Sequence, residues 1–341
     1  MSDTKSVWTR ILCDIDFERD GKQMSYLLVP HSRNDSAWGT VRIPIVVVKN
    51  GQGPGLLLTG GTHGDEYEGQ IVLSELARSL QPETIRGRVI IIPSLHMPAC
   101  LAGTRTSPID GRDINRSFPG DAAGSFAQML AHYVTVFLLP LVGTNIDLHS
   151  GGRSLECIPC TMSHLLDDAE ILEETRMLAS VFGAPFHVMN REVDGAFTFQ
   201  STAERLGVIS LSSELGGACR VSLDGLDIAR RGVRNVMVYL GIMQGASIDS
   251  GIVTRYKVIR SSRDYGFAPS GGIYAPSVPL GTSVKSGQVL GHVFNMEEPF
   301  TEPVSVTASR GGLLWCQRGQ GIIAPGDAAA VVVSDWSEEK A

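Results

Sequence analysis

The sequence predicts an α/β protein with a mostly parallel, mixed sheet flanked by helices, followed by a small C-terminal all-β domain. Three observations carry this prediction. Between residues 50 and 245, short apolar runs alternate with stretches of helical periodicity, the pattern that βαβ units produce. Runs such as Arg88-Val-Ile-Ile-Ile-Pro93 are continuously apolar rather than alternating, as strands covered on both faces require. After Gly245 the pattern changes to short β-runs punctuated by Gly, Pro and Ser, with no convincing helix.

The elements follow in order. Residues 24–48 (MSYLLVP, then WGTVRIPIVVVK) read as a strand pair or hairpin within an N-terminal segment, 1–49, that packs on the core. A strand from Leu56 to Thr59 enters a Gly-rich turn and then a helix with Ile71, Val72, Leu76 and Leu80 at helical spacing, ending before Pro82. With strand 88–93 this makes a βαβ unit. Residues 96–124 lack periodicity and read as a long loop, a kind that in compact domains is functional or disordered. Helix 125–138, strand 144–149, helix 167–182, strand 186–189, helix 198–206, strand 208–214 and helix 223–243 complete an α/β domain spanning 50–245. Residues 250–335 form the terminal β domain, with a barrel-sandwich rhythm in GGIYAP and GTSVKSGQVLG. Lys285 lies in the Val-Lys-x-Gly turn rather than at a hairpin tip, which favours a structural role over a lipoyl- or biotinyl-type carrier.

Composition bounds the function. With 29 Lys+Arg against 36 Asp+Glu, the net charge is −7 and the basic residues are scattered, which excludes a general polyanion binder such as a nucleic-acid protein. No apolar run approaches the roughly 20 residues of a membrane span, and Asp3, Asp14 and Asp16 interrupt the N-terminal stretch. A cytoplasmic protein without membrane partners is expected. Six cysteines at irregular spacing predict reduced, mostly buried thiols, and Cys157-Ile-Pro-Cys160 lacks the second pair of a zinc ribbon. The 38 glycines exceed the usual share, so their positions matter.

Three strand ends carry the chemistry. His63-Gly-Asp-Glu66 is a His-x-x-Glu at the mouth of a helix, and such pairs can converge on one ion. Roughly 0.8 pairs of His and acid at this spacing arise by chance in this composition, and His164…Asp167, a second instance, reads as a polar approach to a helix. Position separates the first: it follows an apolar strand and Gly-Gly, where open α/β sheets collect ligands. His149 also ends an apolar strand and precedes Ser-Gly-Gly. Two His and one Glu are the ligand set of catalytic zinc, with a fourth position open. Asp147 reads either as an outer partner of His149 or as a solvent-facing acid. Glu214 ends a third apolar strand beside Gly216-Gly217 and is a candidate proton shuttle. The loop contributes Arg105, Asn115 and Arg116, where arginines suit an oxyanion or a substrate carboxylate, and Arg112 reads as a surface salt-bridge former.

Together GGTHGDEYEG, GTR followed by INRSFPG, DLHSGG and SELGG resemble the succinylglutamate desuccinylase/aspartoacylase family over about residues 50–335. The resemblance implies a zinc-carboxypeptidase-like fold with an added β domain and one Zn2+ per subunit on His63, Glu66 and His149. It also implies Glu214 as general acid/base, Arg105 polarising the carbonyl, and Asn115 with Arg116 gripping the substrate α-carboxylate. The interval from Arg105 to Asn115 is longer than in aspartoacylases, so the pocket entrance is expected to differ. Within the family, GTRTSPID, NRSFPG, LHSGG, IARRGVRN and DSAWG resemble the bacterial N2-acetyl-L-2,4-diaminobutanoate deacetylases of ectoine degradation. That branch implies hydrolysis of an N-acetyl diamino acid, whose ammonium needs an acidic partner. Glu192 and Asp194, in Arg191-Glu-Val-Asp-Gly195, are candidates, and an ordinary solvated loop is the other reading. The alternatives are another N-acyl amino acid deacylase of aspartoacylase or succinylglutamate desuccinylase type, a metallocarboxypeptidase, and a non-catalytic carboxylate-binding module. The expected partner is a small N-acyl amino acid, and the terminal β domain either closes the site or pairs copies into a homo-oligomer.

Overall fold

A computed structural model describes residues 8–191 and 197–337. Glu192 and Asp194 lie outside the described residues. The N-terminal hairpin forms as expected, with β1 (Gly21–Pro30) antiparallel to β2 (Thr40–Asn50). Next come β3 (Gly55–Gly60), α1 (Glu68–Ser79) and β4 (Gly87–Ile92), a βαβ unit with β3 and β4 parallel. The segment read as loop contains a short helix, α2 (Met97–Ala102), opened by Pro98 and closed by Gly103 at φ 59°. Six residues are too few to display a helical period.

Helix α3 (Phe126–Tyr133) continues into a π turn and a 3-10 turn before β5 (Thr144–Leu148). Then follow β6 (Leu155–Cys157), β7 (Cys160–His164), α4 (Ala169–Phe182), β8 (Phe186–Asn190), α5 (Phe199–Arg205), β9 (Ile209–Glu214), α6 (Leu223–Tyr239) and β10 (Arg255–Ile259). The strand order β1-β2-β4-β3-β5-β9-β7-β8-β10 builds one mixed sheet. Strands β4, β3, β5 and β9 run parallel, and β7 enters antiparallel to β9. The direction reverses there because β5 leads to β7 through the short β6 rather than through a crossover helix.

Apolar cores fill both faces. One packs α3 and α5 residues Leu130 and Phe199 on Val47 and Ile90; the other packs Val72, Leu178 and Val236 of α1, α4 and α6 on Leu56 and Leu58. Among the described residues no helix is long and apolar enough to cross a membrane.

The terminal strands are β11 (Tyr265–Phe267), β12 (Gly272–Pro276), β13 (Ser283–Val284), β14 (Val289–Phe294), β15 (Val304–Thr307), β16 (Gly312–Arg318), β17 (Ile322–Ile323) and β18 (Ala328–Asp335). A small antiparallel sheet, β15-β14-β12-β17, stands apart from the main one. Strand β18 instead pairs with β10, and β16 pairs with both β18 and β6, so the central sheet continues into the C-terminal region. Cys316 lies opposite Cys157 in the β16–β6 pair and is disulfide-bonded to it. This corrects the expectation of reduced thiols throughout. The two cysteines are 159 residues apart in sequence, so only the strand pairing reveals them as neighbours. Cys160 is buried and free.

Candidate active site

The ends of β3, β5 and β9 converge at one cleft. His63 follows β3 through a turn in which Gly61 has φ +63°. A Cβ on Gly64 would lie 2.0 Å from the Ala99 backbone, so glycine lets this turn press against α2. β9 lies parallel to β5, and Leu215 donates its backbone N–H to His149 O, which puts Glu214 beside His149.

His63, Glu66 and His149 bring their side-chain donor atoms within 4.8 Å of one another. All three are buried, with 3%, 3% and 7% exposure. Glu66 Oε1 lies 2.7 Å from His63 Nδ1, and Oε2 lies 2.7 Å from His149 Nδ1. The outer nitrogens face carboxylates: His149 Nε2 is 2.7 Å from Asp147 Oδ2, and His63 Nε2 is 3.2 Å from Asp113 Oδ1. Asp147 Oδ1 accepts hydroxyl bonds from Thr59 and Thr62. Two imidazoles and one carboxylate converge through their inner atoms while outer acids fix each ring, which fits a divalent metal ion. Asp147 is thus the outer partner of His149 and not a solvent-facing acid.

Electrostatics agree with this grouping. Burial opposes charge on Glu66, but the two imidazoles outweigh it and hold the carboxyl well below its ordinary range. Burial likewise opposes charge on His149, yet Asp147 and Glu66 raise it well above the ordinary imidazole value; Glu66 does the same for His63. Glu214 shows the opposite behaviour. Burial, reinforced by the nearby Glu66 charge, pushes it up to about 8, and its Oε2 has no hydrogen-bond partner among the described residues.

Arg105, Asn115 and Arg116 line the same cleft. Asp113 anchors Arg105, accepting from Nε at 3.0 Å, and caps the turn that carries Asn115 by accepting its backbone N–H at 2.8 Å. Asn115 Oδ1 accepts the Phe199 N–H at 2.8 Å, tying the loop to α5. Sequence reasoning therefore grouped seven residues that do come together: His63, Glu66, His149, Glu214, Arg105, Asn115 and Arg116. It missed Asp113, although that acid stands two residues before Asn115. It also misread His164, which lines the cleft rather than merely approaching a helix. His164 ends a strand as His149 does, but a short one that mixes polar and apolar residues, so the signal is weak.

Comparison with known proteins identifies the chain's relatives. The model of the succinylglutamate desuccinylase/aspartoacylase catalytic domain matches residues 52–240. The N-alpha-acetyl-L-2,4-diaminobutyric acid deacetylase of Halomonas elongata is 42% identical over 322 residues, 94% of each chain. A crystal structure of a succinylglutamate desuccinylase/aspartoacylase from Rhodobacter sphaeroides superposes with TM-score 0.92 at 45% identity, covering 97% of this chain and 100% of that one. The product-bound ectoine utilization protein EutE (DoeB) of Ruegeria pomeroyi gives TM-score 0.92 at 37% identity, covering 96% and 99%. The chain belongs to the succinylglutamate desuccinylase/aspartoacylase family.

Proposed function

We propose that the chain is a zinc-dependent amidohydrolase that converts N2-acetyl-L-2,4-diaminobutanoate to acetate and L-2,4-diaminobutanoate. The carrying observation is Glu214, a half-buried residue whose Oε2 is buried with no partner among the described residues, beside the His63–Glu66–His149 cluster in one cleft. The extent of similarity to the Halomonas deacetylase supports the choice of substrate.

His63, Glu66 and His149 would hold the ion, which when bound supplies Lewis acidity toward the acyl carbonyl and toward water. Glu214 takes a proton from the attacking water as the water oxygen bonds to the acyl carbon. The same carboxyl returns that proton to the amide nitrogen as the carbon–nitrogen bond breaks, releasing acetate and the free amine and regenerating Glu214. Burial and the neighbouring Glu66 charge make this carboxyl hold a proton more firmly than an exposed one, as a group that carries a proton between two steps requires. Arg105, fixed by Asp113, stabilises charge developing on the carbonyl oxygen. Arg116 and the Asn115 side-chain amide bind the α-carboxylate.

The test combines chelation with one substitution. A chelator is expected to abolish acetate release and added zinc to restore it. Glu214→Gln is expected to keep its zinc but lose about 10²–10⁴-fold in turnover. Activity that survives either treatment would sink the assignment.

A further inference from the structure

Four polar residues of the cleft lining have no part in the mechanism. They form a wall from His164 at the end of β7, Asn190 at the end of β8, Gln200 in the first turn of α5, and Ser212 of β9. Behind it sits Glu204, one helical turn beyond Gln200. Its Oε2 lies 2.6 Å from His164 Nδ1, and its Oε1 accepts Gln200 Nε2 at 3.1 Å. The His164 and Glu204 side chains are only 12% and 10% exposed.

This pairing decides what the wall offers. In the tautomer that donates Nδ1–H to the Glu204 carboxylate, His164 presents Nε2 as an acceptor, and that nitrogen has no hydrogen bond to a described residue. Gln200 commits one amide N–H to Glu204, which turns Oε1 toward the cleft, where it also accepts the Ser212 hydroxyl at 3.3 Å; its second N–H remains a donor. The wall thus offers two acceptors, His164 Nε2 and Gln200 Oε1, with the Glu204 carboxylate directly behind them. Arg105 and Arg116 are the cationic members of the lining, separate from this wall in the sequence and carried by the loop before α3.

We propose that this wall is an ammonium subsite, in which His164 and Gln200 accept the N–H groups of the substrate's side-chain amine and Glu204 positions both and balances the charge. The proposal rests on the deacetylase reading and extends it. A cleft with guanidinium groups in one part and a carboxylate-backed acceptor wall in another is complementary to an amino acid carrying both an α-carboxylate and a distal cation.

The experiment compares N2-acetyl-L-2,4-diaminobutanoate with N-acetyl-L-norvaline, which replaces the ammonium by a methyl group. Wild-type enzyme is expected to favour the cationic substrate. Glu204→Gln should raise KM for it by about 10–100-fold with kcat little changed, while kcat/KM for the norvaline derivative moves less than about threefold. His164→Leu should lower the same discrimination, and it decides the matter if Glu204→Gln does not fold. Equal losses on both substrates, or unchanged discrimination, overturn the subsite while leaving the deacetylase reading intact. Wild-type enzyme that cleaves neither substrate overturns both.

Discussion

Asp147 gathers three side chains on its two oxygens. Thr59 donates to Oδ1 and Thr62 to both oxygens, while Oδ2 also faces His149 Nε2 and so turns Nδ1 toward Glu66. Asp147→Asn is therefore expected to weaken zinc binding by about 10–100-fold, measured by competition with a chromophoric chelator; unchanged affinity would remove Asp147 from the site. Both imidazoles of the metal-free protein titrate above their ordinary value, and ligation requires them neutral. Loading zinc near pH 7 in weak buffer should thus release protons, and affinity should fall as the pH is lowered. A titration without proton release would contradict the ligand set. The ligands and Glu214 were legible in the sequence because each stands at a strand end beside glycines. Asp147, two residues from His149, was among the readings as its outer partner; the other supports were not legible, because the partners are remote: Thr59 and Asp147 are 88 residues apart, His63 and Asp113 are 50, and His164 and Glu204 are 40.

Strands β7 and β8 enclose a titratable group that has no part in the reaction. His187 is fully buried, with Thr161 Oγ1 at 2.9 Å from Nδ1 and Ser163 Oγ at 3.0 Å from Nε2. Burial, aided by Arg176, lowers its pKa to about 3. Between that value and the roughly 6.5 of an unfolded histidine, only the unfolded chain takes up the proton. The stabilising contribution is therefore complete above pH 6.5 and is lost as the pH falls toward 3. Replacing His187 by Gln should shrink the drop in unfolding free energy between pH 7 and pH 5 by about 1–2 kcal/mol, read by urea denaturation at each pH. An identical drop in both proteins would exclude the effect. At this level the sequence disclosed most of the strand and helix succession, since apolar runs and helical periods are local, but not β6 or β7, whose short runs mix polar and apolar residues. It did not disclose the antiparallel entry of β7, because strand direction depends on how the chain crosses from β5, or helix α2, which is shorter than two turns.

Across the whole molecule, the Cys157–Cys316 bond links the segment after the His149 loop to the C-terminal strands. Denatured, unreduced protein should titrate four thiols per chain, the free ones being Cys13, Cys100, Cys160 and Cys219; six would show that the bond is absent. The pairing of β10 with β8 and of β18 with β10 has a separate consequence. The matched family segment ends at residue 240, before β10 begins. A fragment stopped there would leave the edge of β8 open, inviting intermolecular strand pairing. The catalytic-domain match is thus shorter than the sheet it belongs to, and the C-terminal strands act as a strut rather than an exchangeable cassette. Any chimera that replaces them must bring its own strand to close β8.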